Sequence, residues 1–132
     1  MASILKVDEM QGVTSAGDIT ITSEGGSATQ SLQQGLAKAW VDFDGGGASY
    51  NASFNTSSST DNGTGDYTFS LTNSMGSANY AGNTDGLNTA NNNFDVFMHT
   101  QAAGSFSARL RIGDSGSDTD KETYAVVHGD LA

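Results

Sequence analysis

The chain contains no cysteine and no proline, and only five of its 132 residues are basic. Without cysteine it has no disulfide framework, no thiol nucleophile and no zinc–thiolate site. Without proline, every tight turn falls to Gly, Asn, Asp or Ser. The five cations are Lys6, Lys38, Arg109, Arg111 and Lys121; fifteen acidic residues bring the net charge to −10. Binding nucleic acid needs clustered Lys and Arg that displace counterions from phosphates, so no nucleic-acid partner is expected. Long apolar runs are also missing, and no membrane partner is expected. Near the start, Ile4-Leu5 is broken by Lys6 and Asp8, which does not read as a secretory signal.

What remains is a chain rich in Gly, Ser, Thr and Asn, with 36% hydrophobic and 15% charged residues. Disordered chains combine few apolar residues with many charges or prolines, and that combination is absent. The length suits one domain with a real core. Many short strands separated by Gly- and Asn-rich turns are the natural reading.

Period-two alternation supports it. Ala37, Ala39, Val41 and Phe43 share one face, with Trp40 on the other. Tyr50, Ala52 and Phe54 alternate with polar residues, as do Tyr67, Phe69 and Leu71. Phe94, Val96 and Met98 follow, then Phe106, Ala108, Leu110 and Ile112, with Ser105, Ser107, Arg109 and Arg111 on the opposite face. Tyr124 to Val127 ends the series. Turn signals fall at Gly45-Gly46-Gly47, Asp61 to Asp66, Thr84 to Asn93 and Gly113 to Asp120. Asn62-Gly63 supplies the pair that tolerates positive φ in a hairpin. The span from Asn73 to Asn93 reads as a long loop, anchored at most by Met75, Tyr80 and Leu87. The fold class is therefore all-β: a single antiparallel β-sandwich, jelly-roll-like, over residues 31–132.

The first thirty residues differ. Ile4, Leu5 and Val7 read as one short strand and Ile19 to Thr22 as another, separated by segments with little to pack. Residues 28–36, opened by Ser27 as a cap and closed by Gly35, form the one helical stretch. Such a segment cannot hold itself together, so residues 1–30 are expected to be an extended arm. Its assembly contacts would be Ile4, Leu5 and Val7, buried against a neighbour or an underlying shell.

The wording W-V-x-F-x-G followed by S-F-N-x-S-S-x-T-D-N-G-T-G-D-Y-T, within Ala37 to Tyr80, resembles a module of small structural and tail-fibre proteins of bacteriophages, marine ones especially. Ser3 to Gly12, SILKVDEMQG, resembles the way many of them begin. The resemblance implies a non-enzymatic virion protein on the particle surface, either a tail or fibre component or a head decoration (cement) protein. It would be assembled in the bacterial host cytoplasm. Its partners would be copies of itself, a homo-oligomer expected to be a trimer, and other virion proteins. The alternative is a carbohydrate-binding module that recognises a host surface glycan.

Several residues suggest chemistry. Gly113-Asp114-Ser115-Gly116-Ser117 resembles the nucleophile motif of trypsin-like proteases, but that chemistry needs a histidine held by an aspartate and two barrels, and a polar turn accounts for the same letters. Asp118, Asp120 and Glu122 alternate, as do Asp42 and Asp44. Calcium takes six to eight oxygens, and acidic turns are expected in so acidic a chain. His99 and His128 are too few for a metal centre in one subunit. Asn51, Asn55 and Asn62 each open an N-x-S/T sequon, which chance supplies in this composition. Trp40, Tyr50, Tyr67, Tyr80 and Tyr124 could form a sugar-stacking platform, although core or interface packing is the commoner use of aromatics. No catalytic residue, cofactor or metal site is expected.

Overall fold

The computed structural model describes residues 4–13, 19–23, 25–87 and 93–132. The chain divides into two compact units, Met1–Leu36 and Ala37–Ala132.

In the first unit, β1 (Thr20–Thr22) and β2 (Thr29–Ser31) form an antiparallel pair with Ile21 opposite Gln30. One helical turn follows, α1 (Leu32–Gly35), capped by no side chain. The helix expected over residues 28–36 is thus reduced to its last turn. Residues 29–31 are taken by strand pairing, and Ser27 lies in the turn rather than at the cap. The strand expected at Ile4, Leu5 and Val7 is absent; these residues have no regular secondary structure and no strand partner, and all three are exposed. Among the described residues of this unit none is buried.

The second unit is an antiparallel β-sandwich. Its strands are β3 (Ala39–Asp44), β4 (Ser49–Phe54), β5 (Thr56–Gly63), β6 (Asp66–Leu71), β7 (Ala81–Gly86), β8 (Phe94–Ala102), β9 (Ser105–Ile112) and β10 (Glu122–His128). One sheet runs β4-β3-β10-β7 and the other β5-β6-β9-β8. Ala39, Val41 and Phe43 of β3 and Ala125 and Val127 of β10 face Tyr67, Phe69 and Leu71 of β6 and Phe106 and Ala108 of β9. Phe43 is the centre. Its ring lies 4.9 Å from Tyr67, 5.1 Å from Phe69 and 5.4 Å from Tyr50, at tilted or edge-on angles that suit the ring quadrupoles.

Local chemistry sets the corners. Between β5 and β6 the turn is Thr64-Gly65, with Gly65 at φ 68°. This is one pair further along than Asn62-Gly63, because the strand runs on to Gly63. Between β4 and β5 a single residue, Asn55 at φ 56°, carries the chain from one sheet to the other. Asn is one of the few side chains that tolerates this region. Its side chain donates to the carbonyls of Lys38 and Asn73 at 2.9 and 3.0 Å and accepts from the Asn73 amide at 2.7 Å.

Two strands depart from the sequence reading. β5 carries no large apolar side chain, and β7 lies inside the span read as a long loop. In the same span Met75 is fully buried and Tyr80 packs on the core, while Leu87 is exposed.

Candidate functional site

The outer face of the β4-β3-β10-β7 sheet gathers the unusual side chains. Pairing across the sheet puts Phe54, Trp40, Val126 and Asn83 in one row, and Ala52, Asp42, Tyr124 and Asp85 in the next. Ser49, Asp44 and Glu122 form a third. Trp40 is 39% exposed and Phe54 52%. An aromatic strip therefore borders a carboxylate-rich field.

A bulge builds this arrangement. Asp42 pairs with Ala52 but Phe43 with Tyr50, so Asn51 is the extra residue. Bulges re-aim side chains, and here the consequence is double. Tyr50 turns in against Phe43, whereas Ala52 and Phe54, placed with it by simple alternation, turn outward. Asn51 itself donates to Asp42 Oδ1 at 3.0 Å and to Glu122 Oε1 at 2.9 Å. One amide thus fixes two carboxylates on neighbouring strands and relieves part of their repulsion. Tyr124 sits among them, and its phenol titrates above the ordinary tyrosine value, through desolvation first and then through the nearby charges of Glu122, Asp42 and Asp85.

The opposite outer face, on β5-β6-β9-β8, is hydroxyl-rich and internally satisfied. Asn62 Nδ2 donates to Thr68 Oγ1 at 2.9 Å, and Thr68 and Ser107 share a 2.8 Å hydrogen bond. Arg109 and Arg111 both donate to Asp118, whose carboxyl is held below its usual range chiefly by the Arg109 hydrogen bond. The Arg111 guanidinium also lies 5.4 Å from the Phe97 ring centroid. A second bulge, at His99 between Met98 and Thr100, aims the imidazole at Asp66. His99 Nε2 is 3.1 Å from Asp66 Oδ1, and Nδ1 is 3.2 Å from Thr100 Oγ1. Hydroxyl, imidazole and carboxylate are connected as in a hydrolase. They lie, however, on the open face of a sheet with His99 and Thr100 exposed, so nothing desolvates the hydroxyl or its base.

The other candidates from sequence are dispersed. Ser115 lies in the β9–β10 turn, where its hydroxyl accepts the Ser117 amide. Asp118 belongs to the two arginines, while Asp120 accepts from Gly65 N and Tyr67 OH. Glu122 is held by Asn51, and Asp44 caps its own turn by accepting Gly46 N. Among the described residues, no group of three or more His, Cys, Asp or Glu could hold a metal ion. His128 ends β10, in the other sheet from His99. Of the five aromatics read as a platform, Tyr67 is fully buried and Tyr50 and Tyr80 pack on the core. Trp40 and Tyr124 do share the outer face. Phe54, Asn51 and Val126 join them there; sequence alone missed Phe54 and Asn51 because the bulge shifts the phase of β4, whereas Val126 lies in regular register in β10.

No family model matches the chain, and it matches no curated protein and no solved structure.

Proposed function

We propose that the protein is a non-enzymatic structural protein on the outside of a bacteriophage particle, held there through residues 1–36. The observation that carries this reading is the contrast between the two units. The sandwich buries twelve hydrophobic residues in its own core, so it needs no partner to fold. The N-terminal unit buries nothing among its described residues, yet exposes Ile4 at 79%, Leu5 at 76%, Val13 fully, and Val7, Met10, Ile21 and Leu36 at about half. A segment that leaves so many apolar side chains exposed gains by docking them on another surface. A groove of about 260 Å³ between Met10, Gly12, Ile19, Leu32 and Leu36 gives such a surface a place to engage.

The likeness of residues 37–80 to phage virion modules supplies the setting, and the whole chain's net charge of −10 disfavours contact with a genome. A tail or fibre component and a head decoration protein both fit, as a homo-oligomer or beside other virion proteins. Quantitative mass spectrometry of purified particles tests the reading. The chain is expected among the virion proteins, at hundreds of copies for decoration or about a dozen for a tail position, set by the symmetry of the site. Absence from washed particles contradicts it.

A further inference from the structure

We propose that the outer face of the β4-β3-β10-β7 sheet binds a neutral glycan, with Trp40 and Phe54 as the stacking surface and Asp42, Glu122 and Asn51 as the polar bank. The proposal rests on the particle-surface reading only for where the glycan is met; the site itself stands on its geometry.

Three features select this occupant. First, Trp40 and Phe54 are directly paired across neighbouring strands and both exposed, with Val126 beside Trp40. Left out together on paired positions, they offer an apolar strip about two sugar rings wide, given strands about 4.8 Å apart. Second, the polar bank is built before any ligand arrives. Asn51 is spent on orienting Asp42 and Glu122, leaving carboxylate oxygens on both that point to the same face with acceptor capacity to spare. A carboxylate accepts well from hydroxyl groups and cannot donate. Third, the three rows hold Asp42, Asp44, Asp85 and Glu122 and no Lys or Arg. Their field repels phosphates, uronic acids and sialic acids. The complement is a ligand with apolar C–H faces, many hydroxyl donors and no negative charge. A cationic protein segment shares the charge preference but has no use for a fixed pair of acceptors beside an aromatic strip, so the neutral sugar is favoured.

Trp40 is the chain's one tryptophan, so emission of the full-length protein, excited at the red edge where the four tyrosines do not absorb, reports on this face. The test titrates maltohexaose, cellohexaose and mannohexaose, with oligogalacturonate and oligolysine as charged comparators. At least one neutral hexasaccharide is expected to shift and saturate the Trp40 emission, and oligogalacturonate to leave it unchanged. Phe54→Ala and Asp42→Asn should each weaken that binding about tenfold, the scale of one lost contact or charged hydrogen bond. Phe97→Ala, on the other sheet, should leave it unchanged. Circular dichroism and melting of each variant separate a lost site from a lost fold. A silent tryptophan across all three neutral sugars overturns the proposal, as does saturation by oligolysine or oligogalacturonate instead. Because the titration uses isolated protein, its failure leaves particle association standing, and absence from particles leaves a positive titration standing.

Discussion

Asp120 shows how much one side chain can fasten. It accepts the Gly65 amide at 2.6 Å and the Tyr67 hydroxyl at 2.7 Å, and that hydroxyl also lies 3.0 Å from the Gly45 carbonyl. The two hairpin turns of opposite sheets thus meet at one phenol. Tyr67→Phe keeps the ring but strands the buried Gly45 carbonyl and removes one donor from the exposed Asp120, and should cost on the order of 1–3 kcal/mol in chemical denaturation. The same group sets the alkaline limit. Burial raises the Tyr67 phenol above the ordinary tyrosine value, with Asp120 adding to it, and burial also raises Tyr50 and Tyr80. Stability from these groups is full below about pH 10, the unfolded tyrosine value, and is lost as pH rises through the higher folded-state values. The melting temperature should therefore hold to about pH 10 and then fall, less steeply in Tyr67→Phe. On the catalytic side, His99→Ala and Ser115→Ala should leave particle infectivity unchanged, since neither residue sits in a site able to desolvate a nucleophile. Lost infectivity with normal folding and assembly contradicts that.

Among the strands, those with alternating large apolar residues were legible: β3, β6, β9 and β10 in particular. Phe69 and Phe106 are fully buried and 5.3 Å apart, so truncating either to Ala should cost about 3–5 kcal/mol. Alternation also predicts that their neighbours Thr68 and Ser107 face outward, which they do. It does not reveal that Ser107 is only 5% exposed and bonded to Thr68. Ser107→Ala should therefore cost about 1 kcal/mol, the worth of one ordinary hydrogen bond, rather than nothing. β7 was illegible for a physical reason. Its inward positions are Gly82, Thr84 and Gly86, opposite Val127, Ala125 and Thr123, and the space a side chain would take is already filled. A β-carbon at Gly86 would meet Leu110 at 2.8 Å and Val96 at 3.1 Å. A strand made of absences leaves no periodic signal. β5 was hidden similarly, as an edge strand of hydroxyls paired only with β6. The bulge at Asn51 is the third hidden feature: it reverses the phase within β4, and so it concealed the part that Phe54 and Asn51 play in the candidate site. Turn positions are read more easily than turn registers. Gly65→Ala, at φ 68° with Leu110 O 2.5 Å from the new β-carbon, should cost on the order of 1–3 kcal/mol; Gly63, to which the sequence pointed, does have a positive φ of 129°, but at the end of β5 rather than in the turn.

Taken whole, the molecule joins a self-sufficient sandwich to a unit that leaves most of its described large apolar side chains exposed. The proposed assembly role rests on that contrast, which was partly legible: the scarcity of packing residues before Ala37 is plain in the sequence, while the β1–β2 pair and the boundary at Leu36 are not. The most direct measurement is particle occupancy of the full-length Ile4→Ser, Leu5→Ser, Val7→Ser triple variant against the unaltered chain, each added to particles lacking the protein. All three side chains are exposed, so the melting temperature should not change, and occupancy should fall at least about tenfold if docking buries two or more of them. Unchanged occupancy on a normally folded variant would contradict the account.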